Sequence, residues 1–269
     1  MVKENRDSEE LNYLKKAINK INMRDFKIFS LIVMILSITL FPNDVKANQL
    51  TATESNLSAK EKSIIAIASL TAKGDLVQLK SELNKGLEAE LTVNEIKEVL
   101  VHTYAYCGFP RSIRGLQTFM EVLSERKAKG IIDELGKEAS PIKEDGNKYE
   151  RGKNILEQLT KTPQSNTLTG YSAFAPVIDT FLKEHLFAAI FERDVLTYTQ
   201  RELVTISVIS AIGEAEPMLK SHLSIAINLG ASAEQLKEFI GVIKPFIGKK
   251  KTKAAKEVVN EVLKSRQAQ

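Results

Sequence analysis

The stretch LTVNEIKEVLVHTYAYCG, residues 91–108, returns in altered form as ASAEQLKEFIGVIKPFIG, residues 231–248. At this 140-residue offset a Lys-Glu pair matches a Lys-Glu pair near the start, and a glycine ends both stretches. The same offset aligns LKSEL, residues 79–83, with LKSHL, residues 219–223. Self-similarity at a fixed spacing is typical of a duplicated structural unit. The chain is therefore predicted to contain two copies of one fold.

Both copies carry the sequence pattern of α-helices, and strand patterns are weak throughout. Upstream of the repeated stretch, SAKEKSIIAIASL (58–70) aligns with TQRELVTISVISA (199–211) after a one-residue slip. A hydroxyl residue followed three positions later by Glu or Gln is typical of a helix start, the capping box. Four such pairs occur, namely Ser58 with Glu61, Thr92 with Glu95, Thr199 with Glu202, and Ser232 with Gln235. The prediction is an all-α fold with three helices in each copy.

The first copy contains an unusually polar stretch, EVLVHTYAYCGFP at residues 98–110. Glu98, His102 and Tyr106 are spaced at i, i+4 and i+8, so a helix would place them on one face. The helix is expected to end at Cys107-Gly108, with Pro110 preventing its resumption. Two interpretations of His102 remain open at this point: a reactive residue, or a buried histidine that is hydrogen-bonded to Glu98 and serves only the core.

The N-terminal segment has the pattern of an export signal. A basic stretch after Met23 leads into a 14-residue apolar run, Ile28–Phe41, and then into Val45-Lys46-Ala47. This order is typical of a cleaved signal peptide, and the apolar run is shorter than the roughly 20 residues that a membrane-spanning helix needs. Residues 1–47 are therefore predicted to be a signal peptide with a long n-region, or a shorter one if translation starts at Met23. The mature chain would begin at Asn48 in the periplasm.

The composition argues against several classes of site and partner. One cysteine in 269 residues allows no intrachain disulfide and no CxxC pair, and the three histidines lack metal-ligand spacing. No phosphate loop or dinucleotide fingerprint is present, so neither a cofactor nor a metal is expected. The formal net charge is +4, and the lysine cluster GKKKTKAAK is interpreted as solvated helix surface. We therefore expect no nucleic-acid partner, and no membrane contact after signal cleavage.

Two blocks of the sequence resemble the carboxymuconolactone decarboxylase family, whose fold is alkylhydroperoxidase D-like. EVLVHTYAYCGFPRSIRGLQTFMEVL, from residue 98, resembles the family signature E-x3-H-x3-YAGFP, and a longer block runs from FLKEHL at residue 181 to AEQL at residue 236. The resemblance is to the tandem form, with one family repeat at 57–128, a linker at 129–171 that contains a helix at 150–159, and a second repeat at 172–266. It implies a compact helical bundle that assembles as a homo-oligomer, a trimer of duplicated chains.

The resemblance also implies a chemistry. Members similar to alkylhydroperoxidases carry CxxC one turn before a histidine, whereas this chain has Ala215 and Met218 before His222. The decarboxylase branch keeps the histidine without the cysteines. The implied function is therefore cofactor-independent decarboxylation of a small carboxylated lactone-type substrate. His222 and His102 are the candidate acids that protonate carbon, Tyr106 is a hydrogen-bond donor, and Glu98 orients His102.

Three further residues complete the set of candidates. Glu202 is a possible carboxylate partner of His222, although a capping role would also explain it. His185 matches a family motif and is expected to support the pocket or an interface. Cys107 replaces a small alanine of the signature and is expected to be a buried filler. The alternatives are a peroxiredoxin-type peroxidase that uses Cys107 alone, which would need a lowered thiol pKa, and a non-catalytic helical binding protein.

Overall fold

A computed structural model of the chain describes residues 56–142 and 146–267. The predicted signal peptide and its cleavage site lie outside these residues. Within them the backbone is helical with no strand, which confirms the predicted all-α class. None of the helices in this part of the chain is both long enough and apolar enough to cross a membrane.

The helices of the described part are numbered in chain order. They are α1 Ala59–Lys73, α2 Leu76–Glu88, α3 Val93–Ala128, α4 Lys148–Thr160, α5 Gly170–Phe174, α6 Pro176–Thr180, a π-helix Phe181–Phe191, α7 Tyr198–Ile212, α8 Glu216–Asn228, α9 Ala233–Ile247 and α10 Lys249–Gln267. The helix predicted at 150–159 is α4.

The duplication is visible in the order and the breaks of the helices. Helix α3 bends sharply at Gly108, which has φ 80° and ψ 161°, and α9 and α10 are separated at the matching Gly248, with φ 81° and ψ 165°. Each copy therefore contains four helical segments, where three were expected. The expectation that Pro110 prevents further helix was wrong. Pro110 lies in the first turn after the bend, where its missing N–H leaves no hydrogen bond unmade.

Helix capping sets the register between the two copies. Three of the four predicted capping boxes are present, those at Ser58, Thr92 and Ser232. The fourth was wrong, because α7 begins two residues earlier, at the N-cap Thr197, whose partner is Gln200. The offset between α1 and α7 is therefore 139 residues, one less than that between α2 and α8, because the turn after α7 is one residue longer. Glu202 was predicted to lie in the capping box. In the structure it lies inside α7 and is buried.

Helices α1 and α7 form the centre of one hydrophobic core. Most of their residues are buried, and the two helices pack against each other. The first half of α3 packs on α7 of the other copy, and α9 packs in the same way on α1. Each copy thus covers the central helix of its partner copy. The contact between α3 and α7 holds the functional site described below.

The connection between the copies forms a smaller cluster. Helix α4 packs along the π-helix through Leu159, Phe187 and Phe191. Large apolar side chains remain exposed elsewhere, among them Phe109 and Met120 of α3. The predicted trimer would need surface of this kind, and the oligomeric state stays a prediction.

The bend at Gly248 gives the first testable prediction. Its combination of positive φ with extended ψ is open almost only to glycine, so Gly248→Ala is expected to lower the free energy of unfolding by about 1–3 kcal/mol, although a Cβ there would meet open space. Gly241→Ala is the matched control. Gly241 lies inside α9, has an ordinary φ and also faces open space, so alanine should be neutral or stabilise by about 0.5–1 kcal/mol. Equal effects in urea unfolding would contradict this account of the bend.

Candidate functional site

A row of buried polar side chains crosses the apolar core where α3 lies against α7. Glu98 and His102 come from α3, and Arg201, Glu202 and Thr205 come from α7, all of them at most 3% exposed. Charged and polar groups are rarely buried so completely unless they are paired. Their partners therefore define what the site can do.

The carboxylate of Glu98 is bound by two arginines. Its Oε1 accepts hydrogen bonds from Arg201 Nη2 at 2.8 Å and from Arg193 Nε at 2.9 Å, and its Oε2 accepts from Arg193 Nη2 at 2.9 Å. Glu98 was expected to orient His102, and in the structure the contact between them runs through Arg201, which is hydrogen-bonded to both. The fully buried guanidinium of Arg201 needs a counter-ion, and Glu98 supplies it.

Arg201 fixes the proton arrangement of His102. Arg201 Nη1 lies 3.2 Å from His102 Nδ1, and His102 Nε2 lies 3.0 Å from Thr205 Oγ1. Because a guanidinium can only donate, Nδ1 must accept and the ring proton sits on Nε2. Burial, with the charge of Arg201 as a smaller cause, holds the pKa of His102 well below its usual value. His102 is therefore a neutral imidazole that donates to Thr205.

Thr205 joins His102 to Tyr106. Thr205 Oγ1 lies 2.9 Å from the carbonyl oxygen of Arg201 and 3.2 Å from the hydroxyl oxygen of Tyr106. The threonine proton goes to the carbonyl oxygen, which can only accept, and this leaves Tyr106 to donate to Thr205. Burial, reinforced by the nearby Glu202, raises the pKa of Tyr106, so its hydroxyl stays protonated. The Tyr106 ring lies between the two histidines, with ring centroids 5.5 Å from His102 and 5.9 Å from His222.

The second half of the site is an imidazole–carboxylate pair. His222 of α8 places Nδ1 2.9 Å from Oε2 of Glu202, which lies about one helical turn after the start of α7. Glu202 is fully buried, and within the described part of the chain its Oε1 has no hydrogen-bond partner. The His222 side chain is 14% exposed, so the pair runs from the core towards the surface. Such a pair can hold a proton on the imidazole and release it from Nε2 to a bound molecule.

The structure leaves two sequence candidates outside this cluster. The Cys107 thiol donates to the carbonyl oxygen of Thr103 at 3.1 Å, and burial raises its pKa, the opposite of what a peroxidatic thiol needs. His185 is exposed and meets the edge of the Tyr104 ring at a centroid distance of 5.4 Å. Neither side chain is hydrogen-bonded to His102, Tyr106 or His222.

Sequence reasoning missed three members of the site, Arg193, Arg201 and Thr205. A local pattern could have revealed Arg201. The charged pair at 201–202 comes directly before the largely apolar stretch LVTISVIS, in a helix that is expected to be buried. No comparable pattern marks Thr205 or Arg193, since their roles depend on contacts with α3. Among the described residues no three His, Cys, Asp or Glu side chains are grouped so as to hold a metal ion.

The duplication provides an internal comparison for the site. At the position related by symmetry, Lys62 of α1 pairs with Glu238 of α9 at 2.7 Å, in place of Arg201 with Glu98. The ion pair is therefore retained, but its surroundings have changed. The second set of positions holds Val242 for His102, Phe246 for Tyr106, Ala66 for Thr205, Ser63 for Glu202 and Glu82 for His222. Within the described part of the chain, the complete cluster occurs once.

The fold and the site together define a class: the described part of the chain is a duplicated all-α fold that holds a buried imidazole–carboxylate pair. The sequence model of the carboxymuconolactone decarboxylase family matches residues 43–119 and 176–261, more than half of the chain, and the chain belongs to this family. It is also similar to the 4-carboxymuconolactone decarboxylase of Acinetobacter baylyi, with 28% identity over 121 residues. That alignment covers 45% of this chain and 90% of the relative. The two matched segments fit the tandem arrangement predicted from the repeat.

Proposed function

We propose that the chain is a cofactor-independent carboxy-lyase that acts on a small carboxylated lactone-type substrate, the class named by its relative. The observation that carries the proposal is the Glu202–His222 pair, with a fully buried carboxylate on one side of the imidazole and partial exposure on the other. A proton donor of this kind meets the main need of such a reaction, which is to protonate carbon after CO2 has left.

The reaction requires one bond to break and one to form. The C–C bond to the carboxylate breaks, CO2 leaves, and the electron pair moves into the neighbouring carbonyl to give a dienolate. His222 then delivers the proton on Nε2 to carbon, and the anionic Glu202 stabilises the imidazolium beforehand. The net change is the replacement of a carboxylate by hydrogen with uptake of one proton. Tyr106 stays protonated, and in this proposal its hydroxyl proton turns from Thr205 to the enolate oxygen when the substrate is bound.

His102 has a different place in this proposal from that of His222. Its neutral state, both ring nitrogens engaged in hydrogen bonds and its complete burial make it unsuited to be the acid at neutral pH. We assign it the task of holding Thr205, and through it the Tyr106 hydroxyl, in a fixed position. Of the two candidate acids, the geometry favours His222.

The peroxidase alternative has less support. Ala215 and Met218 leave no dithiol beside His222, and burial raises the pKa of the Cys107 thiol despite the opposing charge of Arg111. The Cys107 thiol donates its hydrogen bond to the backbone carbonyl of Thr103, which is a structural contact within α3.

One experiment separates the candidate functions. The purified protein is incubated with 4-carboxymuconolactone, and CO2 release is followed, while a parallel assay supplies an organic hydroperoxide and a dithiol reductant. We expect catalysed decarboxylation, no peroxide turnover, and an unchanged decarboxylation rate for Cys107→Ala. Peroxide turnover that disappears with Cys107→Ala would establish the peroxidase instead. Tight binding of the lactone without CO2 release would identify a non-catalytic binding protein.

A further inference from the structure

A second candidate site lies between α9 and α10, separate from the buried cluster. The two helices are joined at the bend of Gly248, and the open groove between them has a volume of about 610 Å³. Lysines stand along both walls at helical spacing, Lys237 and Lys244 on α9 and Lys249, Lys253 and Lys256 on α10. We call this feature the lysine groove.

The floor of the lysine groove is apolar and open. Ile240 and Val259 line it and are themselves buried. Between them Gly241 leaves a gap, since a Cβ at this position would meet nothing within 4 Å. Glycine costs stability inside a helix, and here it keeps the groove free of side chains.

The charges around the groove are largely unbalanced. Within the described part of the chain, Lys253 lies 3.9 Å from Glu257, and the other four lysines of the groove have no ion pair. Helix α10 also begins with Lys249, Lys250 and Lys251, and its first turn has no acidic residue. Cations at a helix N-terminus are unfavourable, because this end of the helix dipole is positive. An anion in the groove would relieve both effects.

The first copy shows that the duplicated fold does not by itself produce this groove. The position of Gly241 is taken there by Val101, which adds a side chain. Four of the five lysine positions are apolar or aromatic in the first copy, with Tyr104 for Lys244, Phe109 for Lys249, Ile113 for Lys253 and Leu116 for Lys256. Cationic walls and the open floor are thus features of the second copy alone.

We propose that the lysine groove binds a small amphipathic organic anion, whose apolar body lies on Ile240 and Val259 over Gly241 and whose anionic group lies among the lysines. The volume falls within the roughly 300–1,000 Å³ of ordinary small-molecule sites. An apolar floor with a cationic rim matches such a molecule better than a purely polar anion, which would leave the floor uncovered. The groove is distinct from the Glu202–His222 site, so this proposal does not depend on the decarboxylase activity.

The test uses decanoate as the probe, with the full-length protein and titration calorimetry. Decanoate is expected to bind, while decanol, which lacks the charge, and inorganic phosphate, which lacks the apolar body, should each bind at least about tenfold more weakly. Gly241→Leu fills the floor and should weaken decanoate binding about tenfold or more, and Gly241→Ala should weaken it less. Lys244→Gln with Lys249→Gln should weaken decanoate binding and leave that of decanol unchanged.

Two controls keep the outcome interpretable. Lys127→Gln with Lys129→Gln removes two exposed lysines outside the groove and should leave decanoate binding unchanged. Thermal unfolding of each variant shows whether the fold is intact, and Gly241→Leu faces open space and is expected to remain folded. Phosphate binding as tight as that of decanoate would overturn the proposal in favour of a purely charged surface. Decanoate binding that survives Gly241→Leu, or a lysine variant that alters only the oligomeric state in light scattering, would also overturn it.

Discussion

Glu202→Gln is expected to lower decarboxylase turnover about 10²-fold or more while leaving the protein at least as stable as before. Glutamine keeps the shape of the side chain but cannot offset the positive charge of a protonated His222. Stability should not fall, because Glu202 is a buried carboxylate whose Oε1 has no partner in the described part of the chain, and removing that charge removes a desolvation cost. The measurements are kcat with 4-carboxymuconolactone and the free energy of unfolding in urea.

A loss of activity with retained stability is the pattern of a site that has been kept for function. His222→Gln should produce a similar loss of kcat, since it removes the proton donor itself. Glu82→Gln is the matched control, because Glu82 occupies the position of His222 in the first copy, where the rest of the cluster is missing. Its kcat should equal that of the unaltered protein. If Glu202→Gln destabilised the protein and left kcat intact, the pair would be a structural element and the proposed acid would have to be sought elsewhere.

Most of the fold could be predicted from the sequence because its determinants are local. Capping residues, helical spacing and the repeated stretch identified α1, α3, α7 and α9 and the duplication that relates them. The two errors had local causes as well. Thr197 and Thr199 both precede an apolar run, and the sequence pattern alone favoured the wrong one as the start of α7. Pro110 was interpreted as a stop, although the same residue is favourable in the first turn of a new helix.

The site was predicted less well because its contacts join distant parts of the chain. The spacing of His102 and Tyr106 placed them correctly on one face of α3. Their partners could not be inferred, since Arg201 and Thr205 lie about 100 positions away and meet them only when α3 crosses onto α7. Glu98 pairs with Arg201 and not with its local neighbour His102. A buried guanidinium keeps its charge and needs an anionic partner, whereas an imidazole can be buried in its neutral form.

Glu98→Gln should destabilise the protein by about 3–5 kcal/mol, the usual cost of leaving one partner of a buried ion pair unpaired. Arg201 is fully buried and depends on Glu98 for its counter-charge, while the other arginine on this carboxylate, Arg193, is 38% exposed and can be hydrated. The loss should appear in urea unfolding as a lower midpoint with an unchanged slope. The hydrogen bond from Arg201 that fixes the tautomer of His102 should weaken at the same time.

The duplicated copy supplies the control for this change. Glu238→Gln breaks the pair related by symmetry, but Lys62 is 43% exposed and Glu238 is 29% exposed, so the cost should stay within about 1 kcal/mol. Combining Glu98→Gln with Arg201→Met removes both buried charges and should recover much of the stability, because an unpaired buried cation is the main cost. Equal losses for Glu98→Gln and Glu238→Gln would show that burial does not distinguish the two pairs. A double variant no more stable than Glu98→Gln alone would show that packing around Arg201, and not its charge, holds α3 against α7.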